Sequence, residues 1–206
     1  MKKIIALIAT LFLSFSAFAI EFKTYLALDY DFCIGNTTFQ YDTDQPTYLV
    51  TNRQGFDLDV AFYIFPKLGI YGNLSNNFLF YADKDFDEDA TGSKLDFAFG
   101  LTYHNDINSN LEWTIGAGPH ISVLSYDAPL HNKELSFSTF GIAVEGGVRL
   151  KLFKVAFLTT GLSGHYDFAN IGVKINDTDM TDHYKNLTAM DVKAYLGVGA
   201  IITELF

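Results

Sequence analysis

The sequence predicts an all-β fold in which eight antiparallel strands close into an up-and-down transmembrane β-barrel. Three observations support this prediction. Apolar and polar residues alternate with a period of two along most of the chain, as side chains do on the two faces of a strand. Short and long connections alternate between the strands. One face carries more large apolar residues than a barrel of this size can enclose.

Composition and charge restrict the classes of protein. The 206 residues are expected to contain one barrel domain, covering residues 20–206. A single cysteine excludes an internal disulfide framework and a multi-cysteine metal site, and we predict no metal and no cofactor. The formal net charge of −10 argues against a nucleic-acid partner, because binding to phosphates needs a basic surface.

Residues 1–19 are predicted to be a cleaved signal peptide. Lys2 and Lys3 form a charged start, residues 4–18 are mostly apolar, and "AFA" at residues 17–19 is a small-x-small cleavage site. Ile20 would then be the first mature residue. Because it is not a cysteine, we expect an exported protein without a lipid anchor.

The first four strands are predicted at residues 22–32, 55–64, 67–81 and 95–104. In each strand the large apolar residues share one parity, and small, polar or acidic residues take the other. The apolar parity comprises Phe22, Leu26, Leu28, Tyr30 and Phe32, then Phe56, Leu58, Val60, Phe62 and Ile64, then Leu68, Ile70, Leu74, Phe78 and Phe80, and then Leu95, Phe97, Phe99, Leu101 and Tyr103. This alternation indicates two-faced strands.

The last four strands are predicted at residues 111–123, 140–150, 156–168 and 192–206. Pro119 lies on the apolar parity of the fifth strand, where it removes a ladder donor and predicts a local bulge. Backbone groups in lipid need a closed sheet, so the last strand is expected to pair with the first. Connections near residues 33–53, 82–94, 125–136 and 169–188 are predicted to be four long loops, and the other three connections are short.

The size of the barrel decides which face meets lipid. A soluble barrel of the lipocalin kind encloses its apolar face, whereas a transmembrane barrel turns that face outward. An eight-stranded interior is just wide enough to be filled by side chains, and the face rich in Gly, Ala, Ser and Thr suits it. The large apolar face is therefore predicted to point into a bilayer. Aromatic residues near one rim are predicted to lie at the membrane interface: Phe22, Tyr103, Trp113, Phe153 and Phe206.

Ionisable residues on the inward parity are predicted to form a network in the lumen. Its members are Asp57, Asp59, Asp96, Glu112, Glu145, Arg149 and Lys193. Glu145 lies in the middle of its strand, where a carboxylate is costly unless it is paired or hydrated. Arg149 and Lys193 are its candidate partners, with Lys23 nearer the rim, and the surplus of carboxylates suggests that some keep water or that one is protonated. We expect the side chains to plug the lumen.

The alternation from Val192 to a terminal Phe206 resembles the C-terminal assembly signal of bacterial outer-membrane barrels, although Glu204 departs from the usual apolar residue. In layout the chain resembles small outer-membrane barrels of the OmpA and OmpX kind. The resemblance implies a place in the outer membrane of a diderm bacterium. It also implies contacts with the bilayer, with lipopolysaccharide or another outer-leaflet lipid, and with the outer-membrane assembly machinery.

Two motifs suggest sharper chemistry. Asp83, Asp85 and Asp87 mimic the start of an EF-hand loop, but Glu88 stands where the motif needs glycine, which favours a solvated acidic loop. His120-x-Ser122, followed by Glu134, is similar to the pattern of outer-membrane lipid A deacylases. Parity places this pair in the lumen, away from lipid.

Three functions remain open. The first is a structural, surface-display role in which the four long loops make contacts, since function concentrates on loops held by a rigid scaffold. The second is a narrow pore or small-solute channel. The third is a membrane-embedded lipid A esterase. We expect the first, and we predict that the protein is not an enzyme.

Overall fold

The computed structural model describes residues 23–42, 44–82, 91–128 and 133–202. They form nine strands: β1 (Lys23–Tyr41), β2 (Thr47–Tyr63), β3 (Leu68–Ala82), β4 (Thr91–Asp106), β5 (Leu111–Ala128), β6 (Lys133–Lys151), β7 (Ala156–Ile175), β8 (Thr178–Asp179) and β9 (Tyr184–Ile201). A 3-10 turn covers Thr181–His183. Among these residues, none forms a helix long and apolar enough to cross a membrane. The predicted signal peptide, Phe22 and Phe206 lie outside the described residues.

Eight strands close into the predicted barrel. Each of β1 to β7 pairs antiparallel with the next, β7 pairs with β9, and β9 pairs with β1 from Tyr25↔Ile201 to Tyr41↔Tyr184. Of the nine described strands, only the two-residue β8, which pairs with the end of β7, lies outside the barrel. Closure leaves no barrel strand with an unpaired edge, which meets the requirement that a bilayer imposes on backbone groups. The predicted pairing of the last strand with the first is confirmed.

The predicted alternation is present through the middle of the barrel. On β4, Phe97 and Phe99 are exposed on the outer surface, while Asp96 and Ala98 are buried inside. On β9, Leu196 is 64% exposed on the outer face, whereas Lys193, three residues earlier on the inward face, is 1% exposed. The outer surface of this zone, which we name the belt, is therefore a mainly apolar band between two rims, with exposed Asn76 and Thr160 as polar exceptions.

Pro119 does not produce the predicted bulge. The β4–β5 register is the same on both sides of it, with Ala98 opposite His120 and Leu101 opposite Ala117. Pro119 lacks an N–H, so its place in the ladder interrupts pairing without adding a residue.

The strands are longer than predicted at the end where the long loops were expected, which we name the loop end. β1 has 19 residues and pairs with β2 as far as Phe39↔Thr47, so residues 33–53 are mostly strand rather than loop. The predicted loops at 125–136 and 169–188 are likewise shortened by β5, β6, β7 and β9. The prediction of four long loops was wrong for these three connections. The prediction rested on apolar residues at the outward parity, and in these segments that parity is mostly polar.

The turn between β1 and β2 is held by the connection between β7 and β9. Asp42 has a φ of 45°, and its backbone N–H donates to the carbonyl of His183 at 2.7 Å. In the same connection Thr181 donates its hydroxyl and its backbone N–H to Asp179, and these bonds lower the pKa of the Asp179 carboxyl. Hydrogen bonds to the charged form stabilise the carboxylate.

The interior has three layers. An apolar cap closes the loop end, and it consists of Phe39, Leu49, Leu79, Leu124, Tyr126, Leu135, Phe137, Val173, Tyr184 and Leu187. A charged layer fills the middle. A turn-end cluster lies beyond it, and it consists of Tyr25, Ala27, Ala61, Tyr63, Tyr71, Ala98, Ala143, Phe157 and Ile201.

Candidate functional site

The charged layer is centred on Asp191 of β9. Its carboxylate forms ion pairs with Arg53 of β2 and Lys94 of β4, and all three side chains are buried. Lys94 also lies 3.0 Å from Oδ1 of Asp96. Arg53 donates a further hydrogen bond to the sulfur of Cys33 at 3.2 Å, so the buried free thiol belongs to this network. Burial of these charges is tolerated because each has an opposite charge in contact.

A second group surrounds Asp167 of β7. His120 Nδ1 lies 2.6 Å from Oδ1 of Asp167, while Ser122 and Thr139 donate to Oδ2 at 3.0 and 2.6 Å. His120 Nε2 lies 3.2 Å from Oδ1 of Asp96, which joins this group to the first. The carboxylate of Asp167 therefore orients the imidazole ring of His120.

Lys193 provides the third group. Its Nζ lies 3.1 Å from Oδ2 of Asp57 and 3.7 Å from Oδ2 of Asp31. Ser75 donates to the same oxygen of Asp31 at 3.3 Å. Asn73 donates to Oδ1 of Asp59 at 2.5 Å.

Glu112 organises a separate group near the turn end. It lies 3.4 Å from Arg149 and 3.0 Å from Lys151, and it accepts a hydrogen bond from the hydroxyl of Tyr25 at 3.1 Å. The guanidinium of Arg149 lies 4.5 Å from the centre of the Tyr25 ring. This cation–π contact and the ion pair together hold Arg149 in place.

All seven residues of the predicted lumen network lie on inward positions, but they belong to different groups. Arg149 pairs with Glu112 and Lys193 pairs with Asp57, so neither cation pairs with Glu145 as expected. Within the described part of the chain Glu145 makes no ion pair. It lines two interior cavities of about 20 and 10 Å³, each large enough for about one water molecule. The cavities therefore leave room for water beside its carboxylate.

Sequence analysis missed Arg53, Lys94 and Asp167 as members of the network. Arg53 and Lys94 lay at the edges of predicted loops. If the strand alternation is continued into those segments, both residues take the inward parity beside Asp57 and Asp96. That continued parity was the signal that could have identified them.

The predicted interface aromatics lie near the turn end where they are described. Tyr103 and Trp113 are half-buried on β4 and β5, with ring centres 5.5 Å apart. Phe153 is 73% exposed in the β6–β7 turn. The membrane-interface role of these rings stays a prediction.

The residues of the suggested esterase motif do not form a nucleophilic site. Ser122 and His120 are both buried, and both bind Asp167 rather than each other. Glu134 is an exposed residue at the loop end. A nucleophilic serine needs a base in hydrogen-bonding reach and access to substrate. Asp83, Asp85 and Asp87 lie outside the described residues.

These observations define the class of protein as a closed eight-stranded β-barrel with an apolar outer belt and a charged interior. Several solved structures of outer-membrane proteins have a similar fold. The outer membrane protein OprG of Pseudomonas aeruginosa is 14% identical over 88% of this chain and 96% of its own, with a TM-score of 0.59. Neisserial surface protein A is 15% identical over 86% and 96%, with a TM-score of 0.53. Ail, the attachment invasion locus protein of Yersinia pestis, is 14% identical over 88% and 99%, with a TM-score of 0.50.

The chain therefore has the fold of small outer-membrane β-barrels. No protein-family model matches the sequence, and no curated protein is significantly similar to it.

Proposed function

We propose that the protein is a structural barrel of the bacterial outer membrane that presents a rigid extension to the exterior. One observation carries the proposal: the polarity of the two barrel faces reverses near the loop end. In the belt the outer face is apolar, as a bilayer requires. Beyond it the outer face carries Asn36, Thr38, Ser136 and Thr188, while the apolar cap lies inside.

The polarity reversal supports an extension into water. On β1 about six residues follow the belt, which at strand rise and barrel tilt corresponds to about 15 Å of height. The loop end carries the predicted contact surface, and its strands hold that surface rigidly. Partners of this surface, the outer-leaflet lipids and the assembly machinery that the terminal strand would bind, stay proposals.

The packed interior favours this role over a channel. The apolar cap blocks one end of the lumen, and buried ion pairs fill the centre. A pore would need a continuous wet path, and the two cavities beside Glu145 hold only about one water each. The buried positions of His120 and Ser122 likewise support a role without catalysis.

Surface labelling tests the orientation. Gln45 is exposed in the loop-end turn, Lys154 is exposed in a turn at the opposite end, and the native Cys33 is buried. A membrane-impermeant thiol reagent should label Gln45→Cys on intact cells. It should label Lys154→Cys only after the outer membrane is permeabilised, and wild type in neither case. Labelling of Lys154→Cys alone on intact cells would reverse the proposed orientation.

Planar-bilayer recording tests the closed interior. Wild-type barrels should show no steady conductance, because no open path crosses the charged layer and the cap. The double variant Phe39→Ala/Phe137→Ala removes two stacked rings of the cap, whose centres lie 5.1 Å apart. Its conductance is compared with that of wild type. A sizeable steady wild-type conductance would replace the structural role with the pore.

A further inference from the structure

We propose that the barrel interior binds one divalent transition-metal ion of the zinc class through Asp96, His120 and His165. These residues come from β4, β5 and β7, and all three are buried. One ligand atom from each lies within 4.8 Å of the other two. Two imidazoles and a carboxylate form a common ligand set for such ions.

The atoms that would bind the ion lack hydrogen-bond partners among the described residues. They are His120 Nε2, His165 Nδ1 and Asp96 Oδ1. Lys94 Nζ and His120 Nε2 lie 3.0 and 3.2 Å from Asp96 Oδ1, but neither makes a hydrogen bond of good geometry. A polar atom buried without a hydrogen bond is costly, and three such atoms lie within 4.8 Å of one another here.

The spacing suits a tetrahedral ion. Metal–ligand bonds of about 2.0–2.2 Å place the ligand atoms about 3.3–3.5 Å apart. His120 Nε2 and Asp96 Oδ1 are already 3.2 Å apart, and the ligand atom of His165 lies within 4.8 Å of both. The His165 ring would have to move toward this pair to complete the site.

Asp167 supports His120 as a metal ligand. Its Oδ1 lies 2.6 Å from His120 Nδ1, which places the ring proton on Nδ1 and leaves the Nε2 lone pair for the ion. Ser122 and Thr139 hold the carboxylate of Asp167 in turn. Histidine ligands of metals usually have such a partner on the second ring nitrogen.

The charge of the surrounding layer also fits a divalent cation. Its buried acids are Asp29, Asp31, Asp57, Asp96, Asp167 and Asp191, and its cations are Arg53, Lys94 and Lys193. The buried acids outnumber the cations, and a divalent ion would reduce the excess of negative charge. The imidazole ligands favour zinc-like ions over Mg²⁺ and Ca²⁺, which prefer oxygen ligands.

Metal analysis of the refolded barrel tests the proposal. The full-length mature chain would be folded in detergent micelles with Zn²⁺, freed of excess ion and assayed for bound zinc. We expect about one ion per chain in wild type, near zero in His165→Ala, and no retained ion when Mg²⁺ replaces Zn²⁺. His104→Ala is the matched control, because His104 is a buried lumen histidine near Glu112 and outside the cluster. Zinc-free wild type, or equal zinc in His165→Ala, would overturn the proposal.

A second measurement covers a folding defect. Folding of each variant would be checked by the change in gel mobility between unboiled and boiled samples. If His165→Ala does not fold, the visible absorption spectrum of wild type loaded with Co²⁺ tests the site instead. Intense visible d–d absorption would show a tetrahedral site inside the barrel. A spectrum identical to that of hydrated Co²⁺ would overturn the site.

Discussion

The belt and the extension are built from the same strands but have opposite polarity. In the belt, β6 turns Phe140 and Ile142 outward and Gly141 inward. Toward the loop end the same strand turns Ser136 and Ser138 outward and buries Phe137. The backbone pairing continues through the change. The surrounding solvent, and not the strand itself, decides which parity must be apolar.

The interiors of the belt and of the extension also differ in polarity. The belt encloses buried ion pairs, whereas the extension encloses stacked aromatic and aliphatic side chains. A buried ion pair is strongly destabilising only when one partner is lost, while an apolar core responds in proportion to the volume removed. Substitutions in the two regions should therefore fail for different reasons.

The largest effect is expected inside the belt. Asp191→Ala leaves Arg53 and Lys94 buried without their shared carboxylate, and the free energy of unfolding should fall by about 5 kcal/mol. Urea unfolding in detergent micelles measures the change. The control is Asp42→Asn, which removes the charge from a half-exposed contact with His183, keeps a residue that tolerates the positive φ, and should cost about 0–1 kcal/mol. Equal losses in the two variants would show that the charged layer is hydrated.

The next largest effect is expected inside the extension. Phe137→Ala opens a cavity beside Phe39 and Tyr184 and should lower the free energy of unfolding by about 4 kcal/mol. Because the loss is one of apolar packing, it should be insensitive to salt, unlike a loss of ion pairs. Ser136→Ala, one position away on the outer face, should unfold like wild type. A small effect of Phe137→Ala would indicate that the cap is loosely packed.

The smallest of the three effects compares the outer faces. Leu196→Arg places a charge in the middle of the apolar band and should cost about 2–4 kcal/mol in lipid vesicles. Thr188→Arg, on the same strand in the extension, should change stability by less than about 0.5 kcal/mol, because that face meets water. If both arginines were equally harmful, the extension would also be embedded in lipid.

Much of the fold followed from alternation alone. Parity indicated the outward positions of the belt, and the short turns indicated antiparallel neighbours. The loop-end strands were not predicted, because their outward positions are mostly polar. Residues such as Thr38 and Gln40 are typical of loops. Alternation was still present there, with the apolar residues Phe39 and Leu49 on the opposite parity.

The charged layer was only partly predictable. Parity places Asp96, His120 and His165 inside, but their proximity depends on register. Ala98 opposite His120 and Ala143 opposite His165 bring the three strands to one level. Register depends on the turns and bulges between strands. The β6–β7 pair, for example, has two register shifts, near Thr139 and Gly141. Residues 24 and 45 positions apart in the chain could not be aligned without it.

The buried Cys33 is a native reporter of barrel assembly. Its thiol is 1% exposed and accepts a hydrogen bond from Arg53 behind the sealed loop end. A thiol reagent can reach it only when the barrel opens or before it closes. The extent of labelling at the native cysteine would therefore measure the fraction of unassembled chains in a living cell. The rate of labelling would measure how often assembled barrels open.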